Sequence, residues 1–150
     1  MRTFLLYSAV ATLLAGQAAA AQPMVTIADA WCRATPKAAP AAACYLTLLA
    51  PIDDRLTDVE SPSSARAEIH TMDIADGVMR MRRLPEGIQL PAGRAVTLRP
   101  GAEHLMLIGP KAPLAPGDTV TLLLTFAKAA PVRMTAPVRA ATAHQGHGAH

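Results

Sequence analysis

The chain has 150 residues, 51% of them hydrophobic and 3% aromatic, with a formal net charge of +3. That length allows one domain. No basic run exceeds Arg82 and Arg83 and the aromatics are few, so the positive, stacking surface that nucleic-acid binding requires is missing.

The chain opens with MRTFLLYSAVATLLAGQAAAAQ. Arg2 precedes an apolar run from Phe4 to Leu14, and a small-residue tract ends at Ala21. These are the three parts of a secretory signal, expected to cover residues 1–21 and to be cleaved near Ala20 and Ala21. The apolar run is short for a bilayer span, so no stable membrane insertion is expected. No Cys stands at the cleavage point, which argues against lipidation. The signal suits a bacterial periplasm, and the mature chain keeps roughly 130 residues, enough for a small core.

From there the pattern is that of strands. The first two expected, Val25–Trp31 and Ala42–Leu49, carry Cys32 and Cys44 at their adjoining ends, around Pro36 and Pro40. An oxidising compartment permits a disulfide between them, and two buried thiols beside Trp31 and Tyr45 are equally compatible with the sequence. Further strands are expected at Leu56–Val59, Ala67–Met72, Val78–Arg83, Ala95–Arg99 and His104–Ile108. TVTLLLTF places Val120, Leu122, Leu124 and Phe126 on one face, and VRMTAPV does the same with Val132, Met134, Ala136 and Val138. Such alternation marks half-buried strands. The turn signals PIDD, SPSS, ADG, LPEG, PAG, RPG and APGD separate these runs. Short strands so punctuated predict an all-β sandwich or barrel of about eight to nine strands over residues 22–139. The last stretch, residues 140–150, loses apolar periodicity and carries His144, His147 and His150 among Gly and Ala; it reads as a disordered tail.

The chemistry-bearing residues cluster. EIHTMDIADGVMRM, Glu68 to Met81, holds one His and three Met, and EHLML holds His104 and Met106. A hairpin turning at Asp76 and Gly77 pairs Ile74 with Met79 and Met72 with Met81. It then displays His70, Met72, Met79 and Met81 on one face. His104 and Met106 share a face of their own strand. A single Met is ordinarily core filler, which is the reading for Met24 and Met134. Two His-x-Met pairs and a Met-x-Met are a poor fit to packing alone. Thioether sulfur is soft and neutral and favours Cu(I), while imidazole is compatible with it. Neither forms the disulfide that would capture a thiolate ligand.

At these residues the sequence resembles the periplasmic copper(A) chaperone family, whose pattern is His, ten residues, Met, twenty-one residues, His-x-Met. Here ten residues separate His70 from Met81, and twenty-two separate Met81 from His104; the additional residue is expected in the turn RRLPEG. The likeness also runs through AWCRATPKAAPAAACYLTL, DRLTDVESPSSARAEIHTM, LRPGAEHLMLIGPKAPLAPGDTVTLLLTF and PVRMTAPV, about Val25 to Val138. The resemblance implies a cupredoxin-like Greek-key fold with His70, Met81, His104 and Met106 as Cu(I) ligands. Met72 and Met79 are possible further ligands, with packing as their other role. It also implies a monomeric carrier that supplies copper toward cytochrome c oxidase, its partner being an oxidase subunit or another assembly chaperone. Relatives with His- or Met-bearing tails suggest Cu(II) at His144, His147 and His150.

No nucleophile and base stand in recognisable context, so an enzyme is not expected. Three rivals are a copper buffer or resistance protein with the same site, a blue-copper-like electron carrier, and a β-sandwich module in which His and Met only pack.

Overall fold

The computed structural model describes residues 20–140; the expected signal up to residue 19, and the tail with His144, His147 and His150, lie outside the described residues. Ten strands follow in order: β1 (Thr26–Arg33), β2 (Ala41–Leu49), β3 (Asp54–Glu60), β4 (Ser64–Ala75), β5 (Val78–Arg83), β6 (Ile88–Leu90), β7 (Ala95–Leu98), β8 (His104–Pro110), β9 (Thr119–Phe126) and β10 (Val132–Arg139). The described residues contain no helix, so none is long and apolar enough to cross a membrane. The all-β expectation holds, with one strand more than its upper count. The addition is β6, three residues within LPEGIQLPAG. Three residues are too few to display a period, and the surrounding Pro and Gly mask them.

The strands hydrogen-bond in the order β5-β4-β8-β2-β1-β10-β9-β3-β6, with β7 also pairing β2. The first and last of the described strands, β1 and β10, meet in parallel, Cys32 opposite Val138, and this junction joins the two halves of the sandwich. Alternation does the rest. Val120, Leu122 and Leu124 of β9 are fully buried, as are Leu46 and Leu48 of β2 and Leu105 and Leu107 of β8. They form one core cluster with Leu56, Leu90 and Leu98. Each such side chain contributes about 1.5–3 kcal/mol by leaving water. The turn after β5 ends on Gly87, whose positive φ of 76° and approach to the carbonyl of Leu56 leave no room for a Cβ.

One buried carboxylate ties the far end together. Asp54, at the start of β3, accepts N–H bonds from Arg55 (2.8 Å), Lys128 (2.9 Å) and Ala129 (2.8 Å). Burial pushes its carboxyl up, but these three donors and the Lys128 ammonium outweigh that and hold it below the ordinary carboxylate value. A depressed carboxyl stabilises the fold above its unfolded pKa and loses that contribution as pH falls through the folded one. Asp54→Ala is expected to cost about 3 kcal/mol, because it orphans buried N–H groups. The variant should also lose less stability on acidification than the wild type does; urea melts at neutral and acid pH measure both effects.

Candidate metal centre

The hairpin β4–β5 turns at Asp76 (φ 53°) and Gly77 (φ 74°), the two positive values that a type I′ turn needs. Its register is the one the sequence predicts: Ala75 opposite Val78, Ile74 opposite Met79, Asp73 opposite Arg80, Met72 opposite Met81. On its other edge β4 pairs with β8, where His70 lies directly opposite His104 and Glu68 opposite Met106. Ile69 and Thr71 turn inward and are buried, so Glu68, His70, Met72 and Ile74 stand on the outer face. In β8 the inward residues are Leu105 and Leu107, which puts His104 and Met106 on that same outer face.

A row of rings crosses the four strands there. Trp31 of β1 and Tyr45 of β2 have centroids 4.7 Å apart, Tyr45 and His104 6.3 Å, and His104 and His70 5.9 Å. A one-residue bulge in β1 between Ala28 and Trp31, with Asp29 at positive φ, brings Trp31 opposite Tyr45.

Each imidazole has one nitrogen committed and one left over. Nδ1–H of His104 donates to the carbonyl of Ala102 at 2.9 Å, which leaves the lone pair of Nε2 free. Nε2–H of His70 donates to Oε2 of Glu68 at 2.7 Å, and its Nδ1 is buried without any partner. These assignments follow from the bonding partners. A buried acceptor left unpaired costs about 1–3 kcal/mol, so such a nitrogen points to a ligand. Burial holds His104 below the ordinary imidazole value despite the Ala102 bond that opposes it, which keeps the ring neutral and able to coordinate. Bonds from His70 and then Arg66, whose Nε lies 2.9 Å from Oε1, hold the Glu68 carboxyl below its ordinary range.

Beside the rings a groove of about 400 Å³ is lined by His104, Met72, Met79, Met81, Tyr45 and Arg33, among others. The loop of Pro100 and Gly101 forms its wall. That loop exists because β7 and β8 share one edge of β2, Leu98 opposite Leu46 and Leu105 opposite Cys44, so the chain leaves the sheet beside Tyr45. Of the sequence-derived candidates, Met81, His104, Met72 and Met79 thus share one groove. His70 adjoins it through its ring contact with His104. Met106 is 8% exposed and lies two residues farther along β8 on the same face, opposite Ala43 and Glu68, outside the groove lining. Met79 and Met81 are 58% and 47% exposed, so neither serves as core filler.

Glu68, Tyr45, Trp31 and Arg33 were not among those candidates. Glu68-x-His70 has the same i, i+2 spacing that pairs His70 with Met72, and alternation alone places Glu68 on the face. The other three depend on β1 and β2 lying beside β8, which no local signal in the sequence carries. Cys32 and Cys44 form a disulfide, settling the question left open by their spacing. The bond also corrects the blue-copper alternative. Such a centre needs a thiolate ligand, and the described residues contain no free cysteine.

Comparison with known proteins agrees with this architecture. The copper-bound PCuAC (periplasmic copper(A) chaperone) domain from PmoF2 superposes with a TM-score of 0.66 at 26% identity, covering 80% of this chain and 96% of that one. The solution structure of CuI-DR1885 from Deinococcus radiodurans gives 0.59 at 25% identity over 83% of each chain. A relative from Leifsonia xyli subsp. xyli, "Putative lipoprotein Lxx21020", is 30% identical over 79 residues, 53% of this chain and 48% of its own length. The chain thus matches about half the length of that relative. The family model described as "Putative lipoprotein LpqE-like" matches residues 25–138. Because that match covers well over half of the chain, from before β1 to within β10, the chain belongs to the LpqE-like family.

Proposed function

We propose that this protein is an exported copper chaperone that binds one Cu(I) through imidazole and thioether side chains and passes it to another protein. The observation that carries this reading is the facing pair His70 and His104, each with one ring nitrogen tied off and the other free, beside exposed methionines. His70, Met81, His104 and Met106 form the ligand set. Met72 and Met79, on the same face as Met81, are the thioethers best placed to exchange with it. This donor set is soft and uncharged, and thioethers carry no proton to lose, so only the imidazoles meet proton competition.

The arrangement suits transfer. Met79 and Met81 stand at an exposed hairpin while the imidazoles lie deeper, so an incoming partner meets the thioethers first. Ligands can then be replaced one at a time, each copper–ligand bond to this protein giving way as one to the partner forms, with no free ion released and no covalent bond changed. The acceptor is an exported copper protein, a cytochrome c oxidase subunit or an assembly chaperone for its copper centres, and the site of action is the periplasm. His144, His147 and His150 are a second, Cu(II)-type site. Export conforms with the lipoprotein descriptions of the family model and the relative.

Anaerobic titration with Cu(I) against a chromophoric competitor, followed by X-ray absorption, tests the reading. One tight equivalent with both nitrogen and sulfur neighbours is expected; a shell without sulfur overturns it. Glu68→Ala should weaken Cu(I) binding by about 10–100-fold, the usual loss when the partner of a ligating imidazole is removed. The fold should remain intact in that variant, since Glu68 stands on the outer face. Delivery is tested by oxidase activity in a deletion strain under copper limitation, where normal activity counts for storage instead.

A further inference from the structure

Arg33 is out of place in a groove built for a cation. It lines the groove beside His104, Tyr45 and the methionines, and its Nε is buried with no partner. A guanidinium there repels a bound metal ion, so retention of copper does not explain it. Nor is it alone. Arg83 follows Met81 on the outer face of β5, opposite His70, and Arg139 lies over the Trp31 ring at 5.8 Å. None of these three makes an ion pair among the described residues, where the ion pairs are Arg66–Glu68, His70–Glu68 and Arg82–Asp73. The carboxylate of Glu68, on this same face, is already shared between His70 and Arg66. The face therefore presents unneutralised positive charge around an apolar centre of Ile74 (71% exposed), Met79 and Met81. That centre borders β5, which ends the sheet with β4 on one side only.

From this charge pattern we infer that the groove face is the docking surface for a partner protein whose copper-accepting site is ringed by carboxylates. Arg33 receives one of those carboxylates inside the groove, and Arg83 and Arg139 steer the approach from its two sides. Docking brings the partner's donors onto Met79 and Met81, where copper changes hands. The inference rests on the Cu(I) reading of the groove and adds the chemistry of the acceptor to it. Opposite charge raises encounter rates by about 10–1,000-fold at low ionic strength and loses that advantage in salt.

The test uses the full mature chain loaded with one Cu(I) and two synthetic methionine peptides of equal length. One has its methionines flanked by Asp and Glu, the other by Lys. At low salt the acidic peptide should take up copper on the order of tenfold faster, and the difference should collapse near 0.5 M salt. Arg83→Gln with Arg139→Gln should abolish the preference, and only chains of the variant and the wild type loaded to the same one equivalent of Cu(I) are compared. Equal rates for the two peptides, or a preference that salt does not touch, overturns the inference. Loading is measured first: a wild-type chain that takes no Cu(I) refutes the metal reading, whereas full loading with equal transfer refutes only the docking one. If the double variant does not fold, the salt series on the wild type decides.

Discussion

His104→Ala is expected to weaken Cu(I) binding by about 100-fold or more, at the top of or beyond the range seen when a ligand loses only its supporting partner. His104 occupies the centre of the constellation. It faces His70 across β4 and β8, lines the groove with Met72, Met79 and Met81, and has its Nδ1 fixed by Ala102. Removing it takes away a nitrogen donor and opens the groove floor next to Tyr45. Met81→Ala should cost less, about tenfold, because Met72 and Met79 on the same face can substitute for its sulfur. Met134→Leu, at a β10 position packed on the core, should leave copper binding unchanged. Competition titrations of the three variants give the ranking. If His104→Ala bound copper as tightly as Met134→Leu does, the imidazoles would be packing groups and the site would lie elsewhere.

What the sequence discloses about this site depends on how local each relation is. The hairpin register is legible because Asp76 and Gly77 have the turn chemistry that sets it, and alternation then assigns His70, Met72, Met79 and Met81 to one face. The strands TVTLLLTF and VRMTAPV are legible for the same reason. The contact between His70 and His104 is not, since it arises from β4 pairing with β8 across thirty-three intervening residues. Position relative to the groove is hidden too. His104-x-Met106 places both side chains on one face, yet nothing in those three residues says that Met106 sits outside the groove lining while His104 lines it. Arg33 is least legible of all, because its place in the groove comes from β2 lying between β1 and β8 and from the small side chain of Ala43 between them.

The second large effect concerns the bond that holds β1 to β2. Cys32 and Cys44 are fully buried, directly opposite each other, and joined. They close a short loop through Pro36 and Pro40, and removing such a cross-link releases chain entropy worth about 3 kcal/mol in the unfolded state. Cys32→Ala with Cys44→Ala should therefore lower the melting temperature by about 10 °C, and reduction of the wild type should do the same. The consequence for copper is different. Both sulfurs point into the core, while the neighbouring pair, Trp31 opposite Tyr45, lies on the outer face and backs His104. The double variant should accordingly keep its Cu(I) site well below its melting temperature, with nitrogen and sulfur neighbours unchanged by X-ray absorption, since the proposed sulfur donors are methionines. Loss of the sulfur signal in that variant would instead make a cysteine the donor. A melting temperature within about 2 °C of the wild type would mean that the core and the β1–β10 junction hold the strands together without the bond.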